Sequence, residues 1–179
     1  MSKISLKETI RLIKSDLPEY WEPFLKAVLF TPGFKYTFHH RLCYYFYQHW
    51  YTKPLFIIWW LYMKHLTYLL GIQTPWSMCL PEGFVIAHFG GITFFPESCG
   101  TNVYLRQGVT VGGSGTHHTH PNQRHPRIGN NVTFGANSVV IGDIEIGDGT
   151  IIAANAVVTK STPPNSVVAG IPAKVIKQK

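Results

Sequence analysis

Large apolar residues recur at every sixth position through the C-terminal half of the chain. From Ile128 the step gives Phe134, Val140, Ile146, Ile152 and Val158. Four residues after each come Val132, Ser138, Ile144, Thr150, Ala156 and Thr162. Upstream, Leu80, Ile86 and Ile92 keep the same step, one extra residue shifts the phase, and Cys99, Leu105 and Val111 resume it. A short fixed period marks a solenoid, in which each repeat stacks on its neighbours to bury a shared core. Three hexads close one triangular coil, so the pattern predicts about four coils. After Val111 the lattice expects its next residue at 117 but restarts at 128, so the segment His117 to Arg127 is predicted to loop out. Loops held on a rigid scaffold are where function concentrates.

Residues 1–71 carry no such lattice and read as an N-terminal helical region. Ser5 followed by Glu8 is a capping box, and Leu6, Ile10, Ile13 and Leu17 form the apolar stripe of a first helix. Pro18, Pro23 and Pro32 limit the next pieces, a third helix is predicted over Tyr36 to Tyr51, and Pro54 and Gly71 bracket a fourth. From residue 72 to 179 a single β-solenoid domain is expected, turning at Gly129-Asn130-Asn131, Gly135-Ala136-Asn137 and Gly147-Asp148-Gly149. The last stretch, with Pro163-Pro164-Asn165 and Ala169 to Lys174, breaks the lattice and is expected to cap the open end of the stack.

Composition narrows the setting. Three cysteines at unrelated spacings give neither a disulfide framework nor a zinc pattern. The N-terminal stretch is charged from Lys3 to Glu22 and does not form a cleavable secretory signal. A cytoplasmic protein is expected. The net charge of +7 suits an acidic ligand or an anionic surface, but no basic blocks interleave with aromatics as nucleic-acid binding would require. Between Glu22 and Glu82 there is no acidic residue, while Lys26, Lys35, Arg41, Lys53 and Lys64 remain among many aromatics. The apolar run from Leu55 to Met63 is too short to span a bilayer. Two readings stay open: peripheral contact with the inner face of the cytoplasmic membrane, or aromatic packing between helices and subunits.

Ile-Gly-Asn-Asn-Val-Thr-Phe-Gly-Ala-Asn (128–137) and the stretch from Val157 to Ile176 resemble the hexapeptide-repeat acyltransferases. That resemblance implies a left-handed parallel β-helix, a homotrimer with sites between adjacent subunits, and acetyl-CoA as acyl donor. Ala87 to Ile92, Gln107 to Gly113 and Arg124 to Ile128 are similar to the serine acetyltransferase branch. The branch has an Asp immediately before its first catalytic His, where this chain has Ala87. A second Asp of the branch, further upstream of that His, falls at Gln73. Both departures resemble the serine-acetyltransferase-like proteins of surface-polysaccharide synthesis. The expected function is therefore acetyl-CoA-dependent O-acetylation of a sugar hydroxyl in surface or exopolysaccharide biosynthesis. The alternatives are serine O-acetylation in cysteine biosynthesis and a non-catalytic β-helix scaffold.

Acyl transfer from a thioester to an alcohol needs a base, oxyanion donors and a surface for the CoA arm. His88 lies two residues past the inward Ile86, so it projects from the coil and is the expected general base, worth about 10²–10⁴-fold in rate. By resemblance, His125 positions the acceptor or stabilises developing charge, Arg124 contacts a polar or acidic acceptor, and Glu97 orients the acceptor or a histidine. Gly112, Gly113 and Ser114 leave backbone N–H groups open to the thioester end of CoA. Ala136 and Ala154 are expected to line the CoA groove, with Lys160 and Lys174 meeting its phosphates. His117, His118, His120 and His125 raise the question of a metal, but no Cys or carboxylate lies among them and none is expected.

Overall fold

The computed structural model describes residues 3–17, 23–114 and 124–178. Its helices are α1 (Leu6–Ser15), α2 (Phe24–Phe30), α3 (Pro32–Gln48) and α4 (Lys53–Leu70). The Ser5 side chain accepts from the Glu8 amide at 3.1 Å and closes the first turn of α1. The helix predicted over 36–51 starts earlier, because Pro32 fits the first turn, and ends earlier, because His49 is extended (φ −105°, ψ 115°). Gly71 ends α4 in the left-handed region, its N–H bonding to the Thr67 carbonyl.

The coil begins at once with β1 (Ile72–Gln73), β2 (Val85–Ile86), β3 (Ile92–Phe94), β4 (Ser98–Cys99) and β5 (Tyr104–Leu105). It continues through β6 (Thr110–Gly112), β7 (Arg127–Ile128), β8 (Thr133–Phe134), β9 (Val139–Ile141) and β10 (Glu145–Ile146). Last come β11 (Ile151–Ile152), β12 (Val157–Val158), β13 (Ser166–Gly170) and β14 (Ala173–Gln178). These sort into three sheets: face I is β1-β3-β6-β9-β12, face II is β4-β7-β10, and face III is β2-β5-β8-β11-β13-β14. All coil pairings are parallel and the chain runs I, II, III, I, which makes a three-sided prism. Only β14 is antiparallel, folding back on β13 at the end of face III.

Register explains both irregularities of the lattice. Ile92 stacks on Ile72 but Phe94 stacks on Val111, so the phase shift is absorbed inside β3, which points two side chains inward. Phe134 pairs with Ile152, three hexads further along the chain. Leu105 pairs with Phe134, three hexads and a further stretch of chain away. The same lengthened step separates Cys99 from Ile128 and Val111 from Val140. The excess is one insertion between β6 and β7, and Arg127, at its expected end, already belongs to β7.

One core joins helices to coil: Tyr36, Cys43, Met63, Leu66 and Leu70 pack with Ile72, Phe84, Phe94 and the inward column of the prism. Phe84, Phe94 and Phe134 form an internal stack with centroids 5.4 and 6.0 Å apart, each ring contributing about 1.5–3 kcal/mol of apolar burial. A sealed ion pair adds a polar joint. Arg41 donates to both Asp16 oxygens at 2.7 Å and to the carbonyls of Leu80 and Pro81, while Asp16 also accepts from the Phe84 amide. That pair ties α1 and α3 to the first coil and leaves few of its own hydrogen-bonding positions unused. At the edge between faces II and III, Asn102, Asn131 and Asn165 take left-handed φ with Gly83 and Gly149 in the same column. Gly83 must lack a side chain there, since a Cβ would sit 2.3 Å from the Asn102 amide oxygen of the next coil.

Candidate functional site

The prism distributes the candidate residues over two of its edges. His88 follows β2 at the turn from face III to face I and is exposed. Ala136 and Ala154 occupy the equivalent turn two and three coils further on. Corner hydrogen bonds connect this column: Gly108 N–H to the Gly90 carbonyl, Asn137 to Gln107, and Asn155 to Ala136. At about 4.8 Å per strand, the column from His88 to Ala154 runs about 14 Å along the edge. Ala136 is half-buried and Ala154 exposed, so this column presents small side chains along the edge that carries His88.

His125 stands on the other edge, between faces I and II. Its Nδ1 lies 2.9 Å from the Phe95 carbonyl, which can only accept, so Nδ1 is the donor and Nε2 is the ring nitrogen left for a ligand. The Glu97 amide bonds to the Pro126 carbonyl and fixes the adjoining backbone. Arg124 is exposed, with one nitrogen 3.3 Å from Asp143. Gly112 ends β6 on this edge, with Gly113 and Ser114 beyond it. A Cβ on Gly112 would meet nothing within 4 Å, so space for a ligand is open there. Lys160 is exposed on the same edge and Lys174 on β14. His117, His118 and His120 lie outside the described residues, and no group of metal-binding side chains occurs among the described ones. In one chain, then, His88 with the two alanines and His125 with the glycine turn are brought to different edges.

Two features escaped the sequence reading. Arg127 donates to Asp143 at 2.7 Å and to Glu145 at 3.0 Å, and reaches Glu97 at 3.3 Å. Bonding to Arg127 holds the Asp143 carboxyl below the usual carboxylate range. The lattice held a signal for this cluster, because Ser98, Arg127 and Glu145 each precede an inward residue and therefore stack outward on face II. The second is a cavity of about 470 Å³ between α3, α4 and residues 73–77, lined among others by His40, Trp60, Lys64, Gln73 and Phe95. Phe95 thus forms the wall of this cavity and anchors His125. Its lining comes from segments far apart in sequence, and no local pattern announces it.

Residues 125–160 match the family model for bacterial transferase hexapeptide (six repeats). A serine acetyltransferase of Synechococcus elongatus is 35% identical over 154 residues, 85% of this chain and 60% of that protein. One from Staphylococcus aureus is 45% identical over 113 residues, 62% of this chain and 51% of that protein. This chain therefore spans only about half to three-fifths of the length of these relatives. A crystal structure of a serine acetyltransferase from Brucella abortus strain S19 in complex with coenzyme A aligns with a TM-score of 0.76 at 25% identity, covering 97% of this chain and 70% of that one.

These similarities overturn the sugar acceptor and the polysaccharide branch expected from the sequence, since the proteins matched are serine acetyltransferases. The expectation leaned on two positions, Ala87 and Gln73, that lack the carboxylates of the serine acetyltransferase branch. Glu97 from one neighbouring coil, and Asp143 and Glu145 from the other, converge on Arg127, so in one chain the carboxylates stand on the edge that carries His125 and not on the edge that carries His88.

Proposed function

We propose that this chain, which carries the repeats of the hexapeptide transferases, is an acetyl-CoA-dependent O-acetyltransferase acting on the hydroxyl of L-serine. The observation that carries this reading is the 45% identity over 113 residues to a serine acetyltransferase. His88 is the general base: it takes the serine hydroxyl proton as that oxygen attacks the thioester carbonyl. The C–S bond then breaks and the proton passes to the departing thiolate. The reaction needs no acyl-enzyme. The buried environments that push the thiols of Cys43 up to about 11 and of Cys99 up to about 12 suit structural, unreactive cysteines.

Glu97 is the proposed partner of the serine ammonium group, being held by a single 3.3 Å contact to Arg127 and half exposed. Arg124 and the Nε2 side of His125 face the acceptor carboxylate and hydroxyl in this scheme. The CoA arm runs past Gly112, Gly113 and Ser114 and along the column of Ala136 and Ala154, with Lys160 and Lys174 towards its phosphates. Because the two sets lie on different edges of one prism, the proposal includes a homotrimer of left-handed coils. There the His88 edge of one subunit adjoins the His125 edge of the next. The helical region, residues 1–71, and the acyltransferase domain, residues 72–179, act together in it.

Release of CoA thiol from acetyl-CoA, followed with L-serine and with a panel of sugars, tests the reading. Turnover is expected with L-serine, and His88→Ala is expected to lower kcat about 10²–10⁴-fold while calorimetry still detects acetyl-CoA binding. No turnover with L-serine, or wild-type turnover in the variant, overturns it.

A further inference from the structure

The helical region leaves a broad apolar surface uncovered. By its composition α4 is apolar on every side, which in a soluble protein calls for cover on every side. Within the chain it buries only Met63, Leu66 and Leu70. Ile58 and Leu61 are exposed, Tyr68 is 84% exposed, and the preceding turn presents Trp50 at 77%. On α2, Phe30 is 73% exposed. The two helices flank α3: Phe38 meets Phe24 of α2, while the adjoining His39 meets Trp59 and Tyr62 of α4. Uncovered apolar surface on this scale marks an interaction site.

Charge selects the occupant. No Asp or Glu occurs from residue 23 to residue 81. Lys53 sits over the Tyr47 and Phe56 rings, and Lys64 over Trp60, so the cations stand within the aromatic surface and not apart from it. A second copy that met this surface with the same surface would set lysine against lysine with no carboxylate between them. An anionic bilayer supplies both an apolar layer for the aliphatic side chains and phosphates for the lysines, and Trp and Tyr favour that boundary. No helix among the described residues is long and apolar enough to cross a membrane. We propose that the surface formed by the Trp50 turn and α4 rests on an anionic lipid bilayer as a peripheral contact, independently of the reaction the coil performs.

Flotation of the full chain with vesicles tests this. Binding is expected to phosphatidylcholine vesicles containing phosphatidylglycerol, about tenfold or more weaker to pure phosphatidylcholine, and weaker as salt rises. The Ile58→Asp/Leu61→Asp variant, both exposed positions, is expected to lose flotation while keeping the wild-type circular dichroism melt. If that variant does not fold, Lys53→Gln/Lys64→Gln keeps the apolar surface and is expected to weaken binding to anionic vesicles alone. The proposal is overturned by absence of flotation, by equal binding to both vesicles, or by flotation undiminished in the folded variant. It is equally overturned by a lipid-free self-association that Ile58→Asp/Leu61→Asp abolishes in a chain that does not float, which would assign the surface to a second copy.

Discussion

In the helices an ion pair is sealed from water, with the side chains of Arg41 and Asp16 3% and 1% exposed. In the coil Arg127 gathers three carboxylates, yet its own side chain is 33% exposed and theirs more so. The helical region is irregular in sequence and has to be fixed by particular polar contacts at particular places. The coil repeats one arrangement, fills its interior with stacked, mostly apolar residues, and leaves its charges outside, in contact with water. Polar groups therefore hold the helices to the coil, but on the coil itself they are available for chemistry.

Breaking the sealed pair gives the largest expected effect. Asp16→Ala leaves the Arg41 guanidinium buried without its counter-ion and is expected to destabilise by about 3–5 kcal/mol in urea denaturation. A loss no greater than that of a surface substitution would erase the contrast between the two regions.

Acid sharpens it. His40 is wholly buried with Nε2 on the Pro75 carbonyl and no partner for Nδ1, and burial lowers its pKa from 6.5 to about 4. Its folded pKa is depressed, so the neutral ring's contribution is complete above pH 6.5 and is lost as pH falls towards 4. The loss reaches up to roughly 3 kcal/mol. Asp16 runs the other way: burial raises its carboxyl to about 6 against the pull of Arg41, so its ionisation opposes folding between about 4 and 6. The informative quantity is the difference in melting temperature between wild type and His40→Gln across pH 7 to 4, which is expected to isolate the imidazole. Parallel curves would show that His40 is not held neutral.

The smallest effect on stability belongs to the coil. Arg127→Gln is expected to leave the denaturation midpoint unchanged, because all four charges of the cluster are solvated. The same variant is expected to alter the KM for the acceptor, since Glu97 and Asp143 lose their shared cation. A marked fall in the midpoint would mean that the cluster is structural after all.

What the sequence discloses follows this divide. The coil was legible because one inward residue per strand repeats at fixed spacing, so Ile128, Phe134 and Val140 announce three faces without any knowledge of long-range contacts. The insertion after Val111 was legible for the same reason. Asp16 and Arg41, far apart in sequence and on different elements, carry no periodic signal, and neither does the cavity shared by Trp60 and Phe95. Arg127 was readable in principle from its lattice position, yet a charged residue beside an inward one looks like ordinary surface until its neighbours in adjacent coils are known. The acceptor was misread because Ala87 and Gln73 were judged as single positions, without the carboxylates at 97, 143 and 145 that stacking gathers on the His125 edge.

On all three faces the rungs that straddle the insertion pair as closely as the rungs that do not, so length and register are uncoupled at one place on the molecule. The strands before and after the insertion keep their neighbours whatever number of residues intervenes, provided the ends can meet. New sequence can therefore enter between β6 and β7 without renumbering a single rung. One paragraph of the chain can be rewritten and the ruled page beneath it left intact.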